Sequence, residues 1–498
     1  MQYADFIDLK TVKPGFTMPF NMRVIDDAIM IANDFGDFEF LSPSEFQSFV
    51  AGAVAPGDEL YERLKAKSFI AAEADDNELV ERYYQRKSFL HAGPTLHAFV
   101  LTERCNHGCQ YCHSSIVGMD RMDTDMSVET ARRAVDFAFQ TTSPWMTIEF
   151  QGGEPTANWE TLQFVVDYAQ EKNKVAKKEL SFALVTNFSL MTDERLDFLV
   201  ANRVQICTSL DGPADLHNKT RIFTDGNSHE ITLEWIHKVN NRYIEMGLDP
   251  ILYRVEALPT ITRHSLTRYR EIIDHYVEQG CRAVFLRVLD PFGFAAATRR
   301  TLGYNIDEFI EFYCNSVDYI IELNKQGVEV MERLAAIMLN KMIAHNDPNY
   351  LDLRSPGGAV IGQMGYHPDG SIYSSDEGRM VAAMGDDIFR LGDTENDNYS
   401  DIIGGDVARS LILASTNDGH PRCASCVYKV YCGQQPEYNY KTQGSLFGRM
   451  VDSTWCRKHM GIFDYLSRRL KNATKEEMEI FERWTINRRQ DHFVQDTE

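Results

Sequence analysis

The sequence predicts an α/β protein centred on an open, partial parallel barrel of six β–α repeats. Three observations predict it. Short apolar runs alternate six times with amphipathic helical stretches, and runs of this kind belong to strands buried on both faces. Gly93-Pro94 breaks the chain just ahead of the first run. From about residue 351 Gly, Asp and Ser increase and a second group of cysteines begins, so a different module follows. The 498 residues leave room for about three domains. Values of 44 % hydrophobic and 25 % charged residues exclude wholesale disorder and fibrous structure.

Residues 1–92 read as a separate small module. Arg23 to Asn33 is a strand, an Asp-Asp turn and a second strand, and Gly36 to Leu41 is a third extended piece. Ser42-Pro43-Ser44-Glu45 then caps a helix carrying Phe46 and Phe49. Two further short helices are expected at Glu59–Lys67 and Asn77–Ser88. Strands followed by short helices suggest a winged-helix-like unit.

Residues 93–300 hold the repeats. The strands are expected at His97–Leu101, Met146–Phe150, Phe182–Val185, Val204–Thr208, Ile251–Val255 and Ala283–Leu286. Helices fall near 127–140, 158–172, 192–201, 232–246 and 265–279. In such sheets the C-terminal strand ends carry the site. Residues 301–350 form a helical connector, 351–470 the cysteine-bearing module, and 471–498 a charged helix and tail.

Charge narrows the partners. The chain has 51 basic and 73 acidic side chains, a net charge of −22. That field repels a phosphate backbone, and no local basic patch offsets it, so nucleic acid is not expected. No stretch approaches the ~20 apolar residues of a membrane helix. The start, Met1-Gln-Tyr-Ala-Asp, lacks the basic and apolar regions of a signal peptide. A cytoplasmic protein is expected.

Ten cysteines in a reducing compartment point to metal or redox chemistry rather than disulfides. Cys105, Cys109 and Cys112 follow the first strand with the spacing C-x3-C-x2-C. Three thiolates on one tight loop can hold three irons of a four-iron cluster and leave the fourth open to a substrate. A zinc knuckle or three buried thiols is the alternative. Cys207, Cys281 and Cys314 are isolated and read as small core residues. His107 and His113 flank the loop and read as packed or surface side chains.

This spacing, with Tyr111 before the last cysteine, resembles the radical S-adenosylmethionine (SAM) superfamily. Gly152-Gly153-Glu154-Pro155 after the second strand is similar to that family's Gly-Gly-Glu-Pro element, which approaches the SAM amino group. Ser209-Leu-Asp211-Gly212, followed by His217 and Arg221, is similar to a stretch of its peptide-modifying members. Asn187 and Arg287 stand at strand ends that often line the pocket. The resemblance implies a SAM ligand held by Tyr111, Gly152, Gly153, Glu154, Asn187, Ser209, Asp211, Arg221 and Arg287. It implies a [4Fe–4S] cluster on Cys105, Cys109 and Cys112, and a 5′-deoxyadenosyl radical that takes a hydrogen atom from a substrate.

Cys423, Cys426 and Cys432, with Cys456 downstream, resemble the SPASM or twitch domain of peptide-modifying radical SAM enzymes. A full domain binds two auxiliary clusters. Here Ser375 replaces the cysteine of the Gly-x4-Cys pattern that begins at Gly370, and Pro436 replaces a cysteine expected shortly after Cys432. The first auxiliary ligand set is therefore missing and the second is whole. This implies two [4Fe–4S] clusters in total; a four-cysteine zinc site is the alternative. Asp376 occupies the place of a base in sulfatase-maturating relatives, against a solvated turn carboxylate or an ion pair with Arg379. Tyr428, Tyr431, Tyr438 and Tyr440 are expected to shield the second cluster.

The chain most resembles maturases of the His-Xaa-Ser system and cyclophane-forming maturases of ribosomal peptides. The resemblance implies that residues 1–92 recognise a precursor's leader by strand addition, along Val24–Ala32 or Phe38–Leu41. It also implies a flavodoxin or ferredoxin as electron donor and a side-chain crosslink as product. The alternatives are a radical SAM enzyme for another protein side chain or a metabolite, and a non-enzymatic metal scaffold.

Overall fold

The structure is a computed structural model that describes residues 12–250, 253–345, 350–486 and 492–495. The N-terminal module is an antiparallel sheet of β1 (Asn21–Ile25), β2 (Ala28–Ala32) and β3 (Phe38–Leu41), in that spatial order. Helices α1 (Pro43–Val50), α2 (Glu59–Ala66) and α3 (Asp76–Arg86) follow. Ser42 and Glu45 cap α1 reciprocally, and Pro43 sits where no amide hydrogen is needed. Phe46 and Phe49 are fully buried against Ile29, Ile31 and Leu41.

The barrel follows as β4 (Leu96–Thr102), β5 (Gly108–Cys109), α4 (Val128–Ala138), β6 (Trp145–Gly152), α5 (Trp159–Ala176), β7 (Glu179–Thr186), α6 (Asp193–Ala201) and β8 (Val204–Ser209). Then come α7 (Ala214–Thr220), β9 (Arg221–Ile222), α8 (Ser228–Glu245), β10 (Glu256–Leu258), α9 (Tyr269–Glu278), β11 (Ala283–Val284), α10 (Gly293–Leu302), α11 (Ile306–Lys325), β12 (Met331–Glu332) and α12 (Arg333–Ile343). Strands β4, β6, β7, β8 and β10 pair in parallel. Their register follows burial: Phe99, Ile148, Phe150, Phe182 and Leu184 are all inaccessible to solvent.

Two expected strands differ. The fifth was expected at Ile251–Val255, but β10 begins at Glu256; residues 251 and 252 lie outside the described residues. Asn240 Oδ1 accepts the Val255 amide at 3.0 Å, so a side chain takes that backbone group just before the ladder begins. The sixth, β11, pairs with β12 and, among the described residues, is bridged to the rest at Thr260–Arg287. The barrel is open there.

The C-terminal part contains β13 (Gln363–Tyr366), β14 (Ser371–Tyr373), α13 (Asp376–Ala382), β15 (Arg390–Asp393), α14 (Tyr399–Ile403), α15 (Asp406–Ala414), α16 (Pro421–Ala424), α17 (Pro436–Gln443), α18 (Thr454–Lys471) and α19 (Lys475–Trp484). Strand β13 pairs in parallel with β4, so one eight-stranded sheet runs from the barrel into this region. Asp369-Gly370 turns the β13–β14 hairpin, with Gly370 at φ +91°. Helix α18 lies under β1: Arg23 donates to both Asp464 oxygens, at 2.7 and 2.6 Å. Among the described residues no helix is long and apolar enough to cross a membrane.

Candidate active site

Strand β4 ends at Thr102 and delivers the chain into the cysteine loop. Arg104 fixes its start with two hydrogen bonds to Asp125, at 2.8 and 2.6 Å, and Thr102 Oγ1 donates to the same carboxylate at 2.6 Å. The end of β6 comes hard against this turn. The Gly153 amide donates to Thr102 O at 2.8 Å and the Glu154 amide to Arg104 O at 2.7 Å. A Cβ on Gly152 would meet Thr102 O at 2.2 Å, and one on Gly153 would meet Arg104 O at 2.1 Å. The two glycines are thus dictated by the close approach of two backbones.

Cys105, Cys109 and Cys112 line one cavity of about 1600 Å³ with Tyr111, Gly152, Gly153, Asn187, Ser209, Arg221, Arg287 and Asp376. Of the residues expected to meet SAM, Glu154 and Asp211 stand behind this wall. Glu154 is 1 % exposed. Its carboxylate accepts from the Thr156 amide at 3.1 Å, Thr186 Oγ1 at 2.7 Å and the Asn187 amide at 2.8 Å. It therefore ties the ends of β6 and β7 together and aims Asn187, whose Nδ2 lies 3.7 Å from Cys105 Sγ. Asp211 is also buried. It accepts from Arg221 Nε and from the Thr260 amide, both at 3.0 Å, and from the Tyr111 hydroxyl. Arg221 thereby covers the Tyr111 ring and places Nη1 3.8 Å from Cys109 Sγ.

Burial raises all three thiols, Cys109 to about 11, and the Arg221 charge works against that rise at Cys109 and Cys112. A ligating cysteine is a thiolate, so a bound metal centre would act against that rise. The donor set, three soft thiols around an open cavity beside a glycine cradle, fits a cluster with one open corner. Among the described residues no three His, Cys, Asp or Glu side chains converge on a single ion.

Cys423, Cys426, Cys432 and Cys456 line a second, smaller pocket with Tyr428, Gln434 and Trp455. Gln434 Nε2 donates to Cys423 Sγ at 2.8 Å, and burial pushes the Cys423 thiol up to about 12. Asn21 of β1 donates to Cys426 O at 3.1 Å, so the N-terminal module braces this pocket. Of the four tyrosines expected to shield it, Tyr428 alone is in its wall. Tyr431 reaches instead to Gly36 O at 2.9 Å, and the Tyr438 hydroxyl pairs with Thr454. Tyr440 donates to Asp386 at 2.5 Å. Trp455 lies in the walls of both cavities.

Asp376 reaches the large cavity, but Arg379, itself 3 % exposed, donates to its Oδ1 through Nε at 3.0 Å and Nη2 at 2.5 Å. The ion pair weighed at the sequence level is therefore present. Its neighbour Glu377 also lines the cavity, and burial, with the Asp352 charge beside it, raises that carboxyl to about 8. No spacing rule pointed to Glu377. Cys207 corrects an expectation: with Gln205 and Ser209, two residues away on either side, it faces the cavity rather than the core.

The model of the Radical SAM superfamily matches residues 99–256. The chain carries a radical SAM domain. That superfamily is one of enzymes that use SAM and a [4Fe–4S] cluster. Among curated proteins, the radical SAM cyclopropyl synthase TigE of Paramaledivibacter caminithermalis is 22 % identical over 43 % of this chain, and the match covers about half of that enzyme, 46 %. The cysteine-type anaerobic sulfatase-maturating enzyme of Clostridium novyi is 21 % identical over 74 % of this chain and 96 % of its own length. Among solved structures, native anSMEcpe with bound AdoMet aligns with a TM-score of 0.61 at 18 % identity, covering 76 % of this chain and 99 % of that one. Streptococcus suis SuiB bound to S-adenosylmethionine aligns at 0.51 and 13 % identity, covering 89 % and 99 %. These likenesses of fold reach well beyond residues 99–256.

Proposed function

We propose that this radical SAM protein matures a ribosomally made precursor peptide, most simply by crosslinking two of its side chains. One observation carries the reading. The cavity that begins at Cys105, Cys109 and Cys112 continues to Phe35, Asp37, Ala66, Arg82 and Arg86 of the N-terminal module. At about 1600 Å³ it exceeds the roughly 300–1,000 Å³ typical of small-molecule sites. An extended chain fits that shape: its leader would add to a strand edge of the module while its core lies across the iron loop. Two solved structures of similar fold support this, SuiB bound to precursor peptide SuiA and anSMEcpe bound to a Kp18Cys peptide.

Cys105, Cys109 and Cys112 would hold the SAM-binding cluster, and Cys423, Cys426, Cys432 and Cys456 an auxiliary one. When bound, the first cluster and SAM supply a 5′-deoxyadenosyl radical that removes a substrate hydrogen atom. Gly152, Gly153, Asn187, Ser209 and Arg287 would bound the SAM pocket. Glu154 and Asp211 would act through Asn187, Tyr111 and Arg221. Asp376 or Glu377 would hold or move the substrate proton from the opposite wall. A cytoplasmic location and a flavodoxin or ferredoxin donor complete the proposal.

The test is anaerobic co-expression with a precursor peptide, read by mass spectrometry. Loss of two hydrogen atoms from the peptide is the expected result. No deoxyadenosine from reconstituted protein given reductant and SAM would end the proposal.

A further inference from the structure

Asp211 reaches the iron loop by a second route. Its backbone amide can only donate, and it donates to His217 Nδ1 at 3.3 Å. His217 must therefore carry its proton on Nε2, which lies 3.0 Å from Ser228 Oγ. Among the described residues the Ser228 hydroxyl bonds otherwise only to His107 Nε2, at 2.9 Å, so its proton goes there. That leaves the His107 proton on Nδ1, 3.2 Å from Asn106 Oδ1. The chain of donors runs one way, from the end of β8 to the iron loop, and it fixes the tautomer of both imidazoles.

The chain of donors lies in close-packed surroundings. His217, Ser228 and His107 are 0, 4 and 3 % exposed. The His107 ring lies flat on Phe223, with centroids 4.6 Å apart and planes 4° apart. Asn106 Oδ1, where the chain ends, also accepts from Asn187 Nδ2 at 3.2 Å, while Asn106 Nδ2 donates to Ser189 Oγ at 2.8 Å and that hydroxyl donates to Asn187 Oδ1 at 2.5 Å. The His107 amide points at Cys105 Sγ, 3.5 Å away. Hydrogen bonds to ligand sulfurs set a cluster's potential, and partners one step behind the ligands orient them.

We propose that Ser228 is a positioning residue for the iron-binding loop: through its hydroxyl it holds His107, and with it the amide facing Cys105, in one orientation. The proposal rests on the radical SAM reading of that loop. Without the hydroxyl, His107 Nε2 would be a buried acceptor with no donor, and its tautomer would be free to exchange.

Two measurements on the full chain test it. The first is ¹⁵N solid-state NMR of histidine-labelled apoprotein, with the His107 signals identified by difference against His107→Gln. Wild type shows one His107 tautomer, protonated at Nδ1; Ser228→Ala shows a mixture, and Ser228→Thr restores the single form. The second is the midpoint potential of the loop's cluster in reconstituted protein. It falls in Ser228→Ala and returns in Ser228→Thr, with SAM cleavage slowed at least about tenfold in the alanine variant. A single Nδ1-protonated form in Ser228→Ala, an unchanged potential, or a threonine variant that behaves as alanine would overturn the proposal. Absence of SAM cleavage in wild type would instead sink the radical reading and leave the tautomer result standing.

Discussion

The Ser375 hydroxyl donates to Glu437 Oε1 at 2.9 Å, and Ser374 donates to the same oxygen at the same distance. Ser375 is where the pattern beginning at Gly370 would place a cysteine, and Glu437 adjoins Pro436, where another was expected. The two positions therefore meet in space, and a buried hydroxyl–carboxylate contact fills the place that further cluster ligands would share. The chain should bind about eight irons, two four-iron clusters, after anaerobic reconstitution. Iron and zinc analysis checks this. About four irons and one zinc would show the second cysteine group to be a zinc site. About twelve irons would show that a third cluster forms despite Ser375.

The approach of Gly153 to Arg104 O gives a second prediction. A methyl group there would lie 2.1 Å from a backbone oxygen that Arg104 and Asp125 hold in place. Gly153→Ala must force the β4 and β6 ends apart. Overpacking of this kind costs about 1–3 kcal/mol. The variant should melt at lower temperature than wild type and cleave SAM more slowly, because the displaced turn leads directly into Cys105. Thermal melting of the apoprotein together with deoxyadenosine assays checks both effects. Wild-type behaviour in both would mean that the turn can yield.

The sequence made these parts legible to different degrees. The parallel strands were readable because both faces are buried, so apolar runs such as Ala98–Leu101 carry no polar interruption. The cysteine groups were readable because their spacing is local. The roles of Glu154 and Asp211 were not. A carboxylate beside a ligand and one that holds the ligand's neighbour follow the same motif, and only three-dimensional contacts separate them. Cys207 was misread because period-two alternation says which residues share a face, not whether that face meets core or cavity. The β4–β13 pairing joins residues more than 260 positions apart, and no local signal encodes it.

His367 yields a pH prediction. Its Nε2 lies 3.0 Å from Glu103 Oε1, and its Nδ1 lies 3.0 Å from Asp369 Oδ1, off the ring's donor direction. It ties the β13–β14 hairpin to the start of the first cysteine loop. Burial lowers its pKa, but the two carboxylates outweigh burial and hold it above the ordinary histidine value near 6.5. The sign follows: the folded state binds the proton more tightly than the unfolded state. The stabilisation is complete below about 6.5 and is lost as pH rises through the raised folded value. Wild-type apoprotein should lose melting temperature across that interval, and His367→Gln should lose less. Parallel pH profiles for the two proteins would remove His367 from the account.

The last prediction concerns peptide recognition, and the structure changes how it must be tested. Removing residues 1–90 would also remove Asn21 from Cys426 O, Gly36 from the Tyr431 hydroxyl and Arg23 from Asp464. Such a truncation would damage the second cysteine pocket and could not isolate recognition. The edge of β3 permits a narrower change. The Phe40 amide is not in the β2–β3 ladder; it donates to Glu39 Oε1 at 3.0 Å, and Arg63 Nη2 donates to Phe40 O at 3.2 Å. Lys67 Nζ covers Phe38 O at 2.8 Å. Arg63 and Lys67 are part-exposed, with the buried Glu39 carboxylate between them; their long side chains cap an edge strand, and an incoming peptide that supplies its own donors can displace them from the Phe38 and Phe40 carbonyls. Phe40→Pro removes a donor that an added strand would use and leaves the inner ladder its bonds. Leader affinity should fall about tenfold or more, with SAM cleavage in the absence of peptide unchanged. Isothermal titration of the precursor and the deoxyadenosine assay measure the two separately. Undiminished affinity would move the docking strand away from β3.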